Sequence, residues 1–415
     1  MTLFVDAGAA ALLETLHQAG HRAYVVGGCV RDSLLGRSPH DWDLCTSAAP
    51  QQVLDLFGPE RCIPTGLQHG TVTVKWDGQC YEVTTFRTEG AYTDGRHPDE
   101  VRFVPRVEED LARRDFTINA MAYAPGEGLV DPFGGQADLA QGLLRAVGEP
   151  ERRFEEDGLR ILRLYRFGAR FGFRLEADTR RAARALCGRL GCVSAERIEA
   201  ELTGLLSAPQ PGAWLEPEVL AVVLPELEPL AQPERFAALC RQVDRVPAEA
   251  GVCTRLAVLL APLGEDTARQ VLRRLRCSRE RVERTALLVA RQGLAPAPAG
   301  RERKVQARRL LGRLGEEDLA RLLWLCRAQD PAQAPALEDL WAEAQAARQQ
   351  GACCRTEQLA VNGRDLLAAG IPPGPAVGRT LQALLDQVVQ GRLPNQKQSL
   401  LAAACAAQLE QKERE

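Results

Sequence analysis

The chain has 415 residues, 45% hydrophobic and 26% charged, with a formal net charge of −3. That much apolar material builds real cores and excludes wholesale disorder. The longest apolar runs, at 219–224 and 256–263, fall far short of the ~18 residues needed to span a bilayer.

At roughly 100–200 residues per domain, the length predicts two to four domains. The first residues carry Asp6 and Glu14 and no basic lead, which argues against a secretory signal. The expectation is a soluble, cytoplasmic protein with no membrane partner. Thirteen cysteines, an odd number with no Cys-x-x-Cys, predict reduced thiols acting as small hydrophobes rather than a disulfide framework or zinc knuckle. Arginine outnumbers lysine 48 to 4 in an Ala- and Leu-rich background. Arginine abundance of that kind reflects composition, so only arginine position is informative.

In chain order, short β-type runs come first, at residues 23–26, 43–45, 71–76, 81–87 and 101–104. A short helical stretch at 50–57 lies between them. This predicts an α+β head with a small mixed or antiparallel sheet. After Glu149 the strands end and helical periodicity runs to the end. Breakers at 208–212, 293–300 and 330–335 divide that part. The organisation expected is a head at 1–147, a helical neck at 148–208, a body at 209–330 and a tail at 331–415. All five histidines (His17, His21, His40, His69 and His97) precede residue 98, so the helical part holds no His-Asp phosphohydrolase centre.

Within the head, a strand runs into Gly27-Gly28 and then a helix carrying Arg31. Two glycines let the backbone approach a bulky anion, and an arginine one turn on can clamp a phosphate. An ordinary strand–helix turn has the same look. Asp41 and Asp43 follow, spaced to share one side of a strand. Such a pair suits a hard divalent cation, Mg²⁺, that also takes substrate phosphates as ligands. Glycines, arginine and paired carboxylates together are the minimum for two-metal nucleotidyl transfer. Glu82, in the strand at 81–87, is either a third carboxylate or a salt-bridge partner.

These residues resemble the opening of the polymerase-beta-like nucleotidyltransferases. Further runs at 113–122 (Arg113-Arg114-Asp115-Phe116), at 153–167 and at 195–202 resemble the ordered signatures of bacterial class II tRNA nucleotidyltransferases, the CCA-adding enzymes, and their poly(A) polymerase relatives. The stretches 362–366, 370–374 and 393–395 match the tail of these enzymes more loosely. The resemblance implies template-independent addition of CCA to tRNA 3′ ends from CTP and ATP, with release of pyrophosphate. It implies nucleotide contact by Arg114, ribose selection by Asp115, and base recognition by Asp157 and Arg160.

Asp157, Arg160, Arg163 and Arg166 recur every third residue, so on one helix each neighbours the next. A carboxylate accepts hydrogen bonds and a guanidinium donates them. One Asp–Arg pair therefore satisfies the amino and ring-nitrogen edge of cytosine and of adenine, and leaves groups unpaired against uracil or guanine. Arg163 and Arg166 would extend a cationic track towards phosphates. In the resemblance, the loop at 88–98 serves the switch from C to A addition and is full length here. Poly(A) polymerase, A-adding or CC-adding activity remains as an alternative, and a non-catalytic RNA-binding protein as a remote one.

Between Thr267 and Arg313 lie fourteen basic residues against three acidic ones. Such a block suits a polyanion such as tRNA, contacted through phosphates and shape, or is a solvated helical face. A homodimer is left open.

Overall fold

In the computed structural model, residues 2–90, 101–230 and 232–412 are described. The chain divides into two compact units, one of residues 1–237 with 274–277, the other of residues 238–273 with 278–415.

The first unit opens with α1 (Ala7–Gln18), β1 (Ala23–Val26), α2 (Gly28–Leu34), β2 (Leu44–Thr46) and α3 (Pro50–Phe57). Then come β3 (Cys62–Gly66), β4 (Thr71–Trp76), β5 (Gln79–Thr85), β6 (Arg87–Glu89), β7 (Val101–Phe103) and α4 (Val107–Ala112). The head closes with β8 (Ala122–Ala124), β9 (Gly128–Val130), α5 (Gly135–Gln141) and β10 (Leu143–Leu144). Seven strands form one mixed sheet in the order β3-β4-β5-β2-β1-β8-β9. Only β2 and β5 run parallel in it; the other pairs are antiparallel. The α+β head is therefore as expected. The sheet also contains β3, β8 and β9, whose short, glycine- and alanine-bearing sequences give no period-2 signal.

β4 shows why alternation works. Val72 and Val74 are fully buried, while Thr71, Thr73 and Lys75 are not. One face of the sheet packs Tyr24, Val26, Phe86, Leu111 and Ala122 into a single cluster that reaches α4. Burying these side chains at about 25 cal/mol per Å² holds the strand ends that carry the site.

Beyond the head, α6 (Pro150–Glu156), α7 (Leu159–Phe171), β11 (Arg174–Leu175), α8 (Ala177–Ala185), α9 (Ala195–Leu206) and α10 (Pro217–Val223) follow. Strands do not quite end at Glu149, because β11 pairs in parallel with β10. Two residues are too few for any sequence pattern. α7 is amphipathic, burying Leu159, Ile161, Leu162, Leu164, Tyr165 and Phe167. Gly172 ends it in a left-handed conformation at φ 70°.

The second unit is helical. It comprises most of α11 (Pro233–Asp244) and of α13 (Glu265–Arg274), with α12 (Val252–Leu260) and α14 (Arg279–Ala290). It continues through α15 (Arg301–Gln329), α16 (Ala334–Gln349), α17 (Gly363–Ala368), α18 (Pro375–Val389) and α19 (Lys397–Lys412). Gly315 kinks α15, with φ 75° and ψ 174°. The breakers at 208–212 and 293–300 fall between α-helices, and the one at 330–335 separates α15 from α16 and runs into the first turn of α16. All thirteen cysteines are free; six are buried and two, Cys80 and Cys192, are exposed. No helix among the described residues is long and apolar enough to cross a membrane.

Candidate active site

β1 ends in Gly27, whose φ of 79° and ψ of −121° suit only glycine, and α2 begins at Gly28. The Gly27 amide donates to the Met121 carbonyl at 3.0 Å, tying the turn to the start of β8. A Cβ on Gly27 would lie 2.8 Å from Arg114 Nη1. The second glycine is thus the helix start, and the first lets an arginine come close.

Asp41 and Asp43 lie on the extended lead-in to β2, just outside the strand, and both are exposed. The Asp43 carbonyl accepts from the Val26 amide at 2.9 Å, which places Asp43 beside the residue preceding Gly27. Leu44 faces Val83 in the parallel pair, so one position earlier Asp43 neighbours Glu82. Glu82 is exposed on β5. The electrostatics agree. Although Asp43 is exposed as a residue, its carboxyl is partly desolvated, which raises it; the Glu82 carboxylate adds to the rise, Arg114 opposes it, and Asp41 adds further. The head thus brings Gly27, Asp41, Asp43, Glu82 and Arg114 together at the central strands β1, β2 and β5 of the sheet.

Arg114 follows α4 and is half-buried. Its Nη2 lies 3.5 Å from the buried Asp110 carboxylate. Its Nε is buried with no hydrogen-bond partner. A buried guanidinium nitrogen left unpaired is costly unless something else accepts from it.

Arg31 departs from expectation. It is 4% exposed, donates through Nε to Asp32 at 2.9 Å and through Nη1 to Asn119, and stacks on Phe171 at 4.8 Å. Burial lowers its pKa, with Asp32 opposing. Rather than standing free as a phosphate clamp, it locks α2 to the turn before β8.

Asp115 is buried and accepts from the Phe116 amide at 2.8 Å, from Asn119 Nδ2 at 3.0 Å, and from Arg163 Nε and Nη2 at 2.9 and 2.7 Å. Arg163 also lies 3.5 Å from Glu201, and Arg166 pairs with the other oxygen of Glu201. Phe167 packs under both guanidiniums, 4.2 Å from that of Arg166. The expected cationic track is therefore a neutralised ladder, Asp32–Arg31–Asn119–Asp115–Arg163–Glu201–Arg166, that fastens α7 and α9 to the head.

Asp157 and Arg160 do not form the expected helical pair. Asp157 is the cap that ends α6, at φ −145°, and α7 starts two residues later. Asp157 itself leaves the helical region, whereas Gly158, at φ −57° and ψ −25°, already has helical geometry at the cap of α7; a Cβ on it would lie 2.7 Å from the Arg189 carbonyl oxygen. Asp157 accepts from the Leu159 amide at 3.0 Å and from Arg197 Nη2 at 2.6 Å. Arg197 Nη1 is buried without a partner. Arg160 is 9% exposed and donates to Glu156 at 2.8 Å and to the carbonyls of Arg153 and Arg113. The sequence reading missed Asp110, Asn119, Glu156, Arg197 and Glu201. Arg197 and Glu201 sit one residue before and three residues after Ile198 in the run at 195–202, which flagged the segment but not its partners. The loop at 91–98 lies outside the described residues.

Residues 23–145 match the poly A polymerase head domain, residues 172–230 the probable RNA and SrmB-binding site of polymerase A, and residues 253–404 the putative tRNA nucleotidyltransferase domain 2. The chain is 37% identical over 407 residues to the CCA-adding enzyme of Lactiplantibacillus plantarum, spanning 94% of this chain and 93% of that one. It is 36% identical over 395 residues to the CCA-adding enzyme of Geobacillus thermodenitrificans, spanning 94% of each. The solved structure of the Bacillus stearothermophilus CCA-adding enzyme in complex with CTP aligns over 98% of both chains, with a TM-score of 0.81 and 33% identity. The Thermotoga maritima CCA-adding enzyme complexed with tRNA shares the fold, with a TM-score of 0.69 at 22% identity over 97% of this chain and 96% of that one. Full-length identity above a third places this chain in the CCA-adding enzyme family, the nucleotidyltransferases that act on tRNA.

Proposed function

We propose that this chain adds two CMP and one AMP to the 3′ end of tRNA from CTP and ATP, releasing pyrophosphate. The observation that carries the reading is the meeting of Arg114, with its unpaired buried Nε, the Gly27 turn, and the Asp41–Asp43 pair. A triphosphate supplies the acceptor that Arg114 lacks, and its negative charge needs a cation beside the two aspartates.

The donor set fits a hard divalent ion, for which we propose Mg²⁺. Among the described residues no cluster of three or more His, Cys, Asp or Glu could hold a metal alone. Asp41 and Asp43 supply two oxygens, and water and triphosphate complete the set, as is usual for Mg²⁺. When bound, it supplies Lewis-acid chemistry at the attacking 3′-hydroxyl and the leaving pyrophosphate. The chain's own residues do the rest. Gly27 allows close approach, Arg114 holds the triphosphate, and Glu82 beside Asp43 orients the incoming 3′-hydroxyl. The 3′-oxygen forms a bond to the α-phosphorus as the α–β bridge breaks and pyrophosphate departs.

For the base we keep Asp157 and Arg160 as the reading pair. Arg197 and the Leu159 amide fix the carboxylate, and Glu156 with two carbonyls fixes the guanidinium. Arg31, Asp115, Arg163 and Arg166 then act by holding the neck against the head. We retain the division into head, neck, body and tail at 147, 208 and 330. We propose a cytoplasmic location for the reaction.

The test is incorporation into a tRNA transcript lacking its last three nucleotides, with CTP, ATP or both. Two C with CTP alone, and one further A only when ATP is present, are expected. Asp41→Ala abolishes incorporation while tRNA binding survives. A long A tail from ATP alone, or near-normal activity in Asp41→Ala, overturns the reading.

A further inference from the structure

The segment before α1 is tied to the edge of the head that carries the carboxylates. The Leu3 amide donates to the Tyr123 hydroxyl of β8 at 3.2 Å. Asp6 caps α1 through the amides of Gly8 and Ala9, and accepts from the Tyr81 hydroxyl of β5 at 2.5 Å. Gly8 makes room for that ring, since a Cβ there would lie 2.1 Å from the Tyr81 hydroxyl oxygen. Tyr81 directly precedes Glu82.

Between these two ties, Phe4 meets Trp42 edge-on, with ring centroids 6.5 Å apart and planes at 69°. Trp42 is 9% exposed and Phe4 is 76% exposed. Trp42 is the residue between Asp41 and Asp43. The lead-in at 41–43 lies outside the strand, with Asp43 tied to Val26 by its carbonyl. The buried Trp42 ring is what seats the backbone carrying Asp41. A phenylalanine so exposed gains little by its own burial. What it does is close one edge of that ring.

We propose that Phe4 is a positioning residue, which by covering Trp42 holds Asp41 and Asp43 at the separation their cation requires. This rests on the assignment of those aspartates to the cation. Two aspartates without the brace would repel and spread, so cation affinity falls while the fold stands.

The test uses the full chain with Phe4→Ala and Phe4→Tyr. One readout is the Mg²⁺ dependence of a single CMP addition. The second is Mn²⁺ binding with a non-hydrolysable CTP analogue, followed by the electron paramagnetic resonance of the free ion. An edge-on aromatic pair corresponds to about two- to tenfold in an equilibrium constant. Phe4→Ala should raise half-saturating Mg²⁺ and weaken Mn²⁺ binding by about that factor, with KM for tRNA unchanged and Phe4→Tyr restoring both. Unchanged metal dependence in Phe4→Ala overturns the proposal, as does a defect that Phe4→Tyr shares. Asp41→Asn separates the two readings. If it binds Mn²⁺ as tightly as the parent, the carboxylate assignment itself is wrong.

Discussion

Replacing Asp115 by asparagine tests whether the ladder behind the site is held by charge. Burial alone would raise this carboxyl, but Arg163 beside it, with the Asn119 hydrogen bond and Arg160, outweighs burial and brings it from 3.8 to about 2. At 1.36 kcal/mol per unit, that difference is about 2.5 kcal/mol of stability at neutral pH. Its sign is fixed. The folded pKa lies below the unfolded one, so the contribution is complete above about pH 4 and is lost as pH falls through about 2. Asp115→Asn keeps the shape and removes the charge, leaving Arg163 with Glu201 at 3.5 Å. The variant should lose roughly 2–4 kcal/mol at pH 7, the lower end being the linkage value and the upper the cost of a broken buried pair. By pH 3 the charge-dependent part should fall to about half. The assay is urea unfolding followed by fluorescence in a Trp324→Phe, Trp341→Phe background. Trp42, Trp76 and Trp214 then report the first unit, which matters because two units need not unfold together. A difference between parent and variant as large at pH 3 as at pH 7 would refute the electrostatic account.

Two backbone predictions follow from crowded glycines, one against a side chain and one against a backbone carbonyl. Gly27→Ala puts a Cβ 2.8 Å from Arg114 Nη1 at a φ of 79°, so the arginine must swing away. Steady-state kinetics should show KM for CTP raised about tenfold or more, against a stability loss of about 1–3 kcal/mol. Gly158→Ala meets the Arg189 carbonyl oxygen at 2.7 Å, which is backbone and cannot turn aside. It should cost about 1–3 kcal/mol in urea unfolding and weaken discrimination of CTP from UTP, because Asp157 is displaced from Arg197.

β4 was legible in the sequence because its alternation buries one face, and β1 and β2 as short apolar runs buried throughout. β4 and β1 appear where the pattern puts them, and β2 is displaced by one residue. β8 and β9 were not legible, since Ala122–Ala124 and Gly128–Val130 are too short and too small to show a period. The site's carboxylates and glycines were legible because chemistry requires those residue types at a fixed spacing. Arg114 was picked out by the run at 113–122, but the partners of the neck arginines were not. Spacing of three suggests one helical face for residues 157–166, but Asp157 takes an extended conformation that ends α6 before α7 starts. Where each guanidinium goes then depends on carboxylates far along the chain, such as Glu201 and Asp115, that no local pattern connects.

That dependence changes what an arginine count can mean in a chain with 48 of them. In the block from 267 to 313, Arg269 pairs with Glu265 and Glu283, Arg274 with Glu226, Arg284 with Asp318 and Arg303 with Asp339. These four of the fourteen basic residues thus find a carboxylate outside the block, and a polyanion would feel less than the sequence suggests. The same matching governs the neck, where Arg31, Arg160, Arg163 and Arg166 all have carboxylate or amide partners. An arginine with a buried nitrogen still unpaired is then the exception, and the exceptions are placed where ligand chemistry is expected. Arg114 stands at the Gly27 turn beside Asp43, and Arg197 stands on Asp157. In a composition saturated with guanidinium, an unsatisfied buried donor points to a candidate ligand contact more sharply than positive charge does.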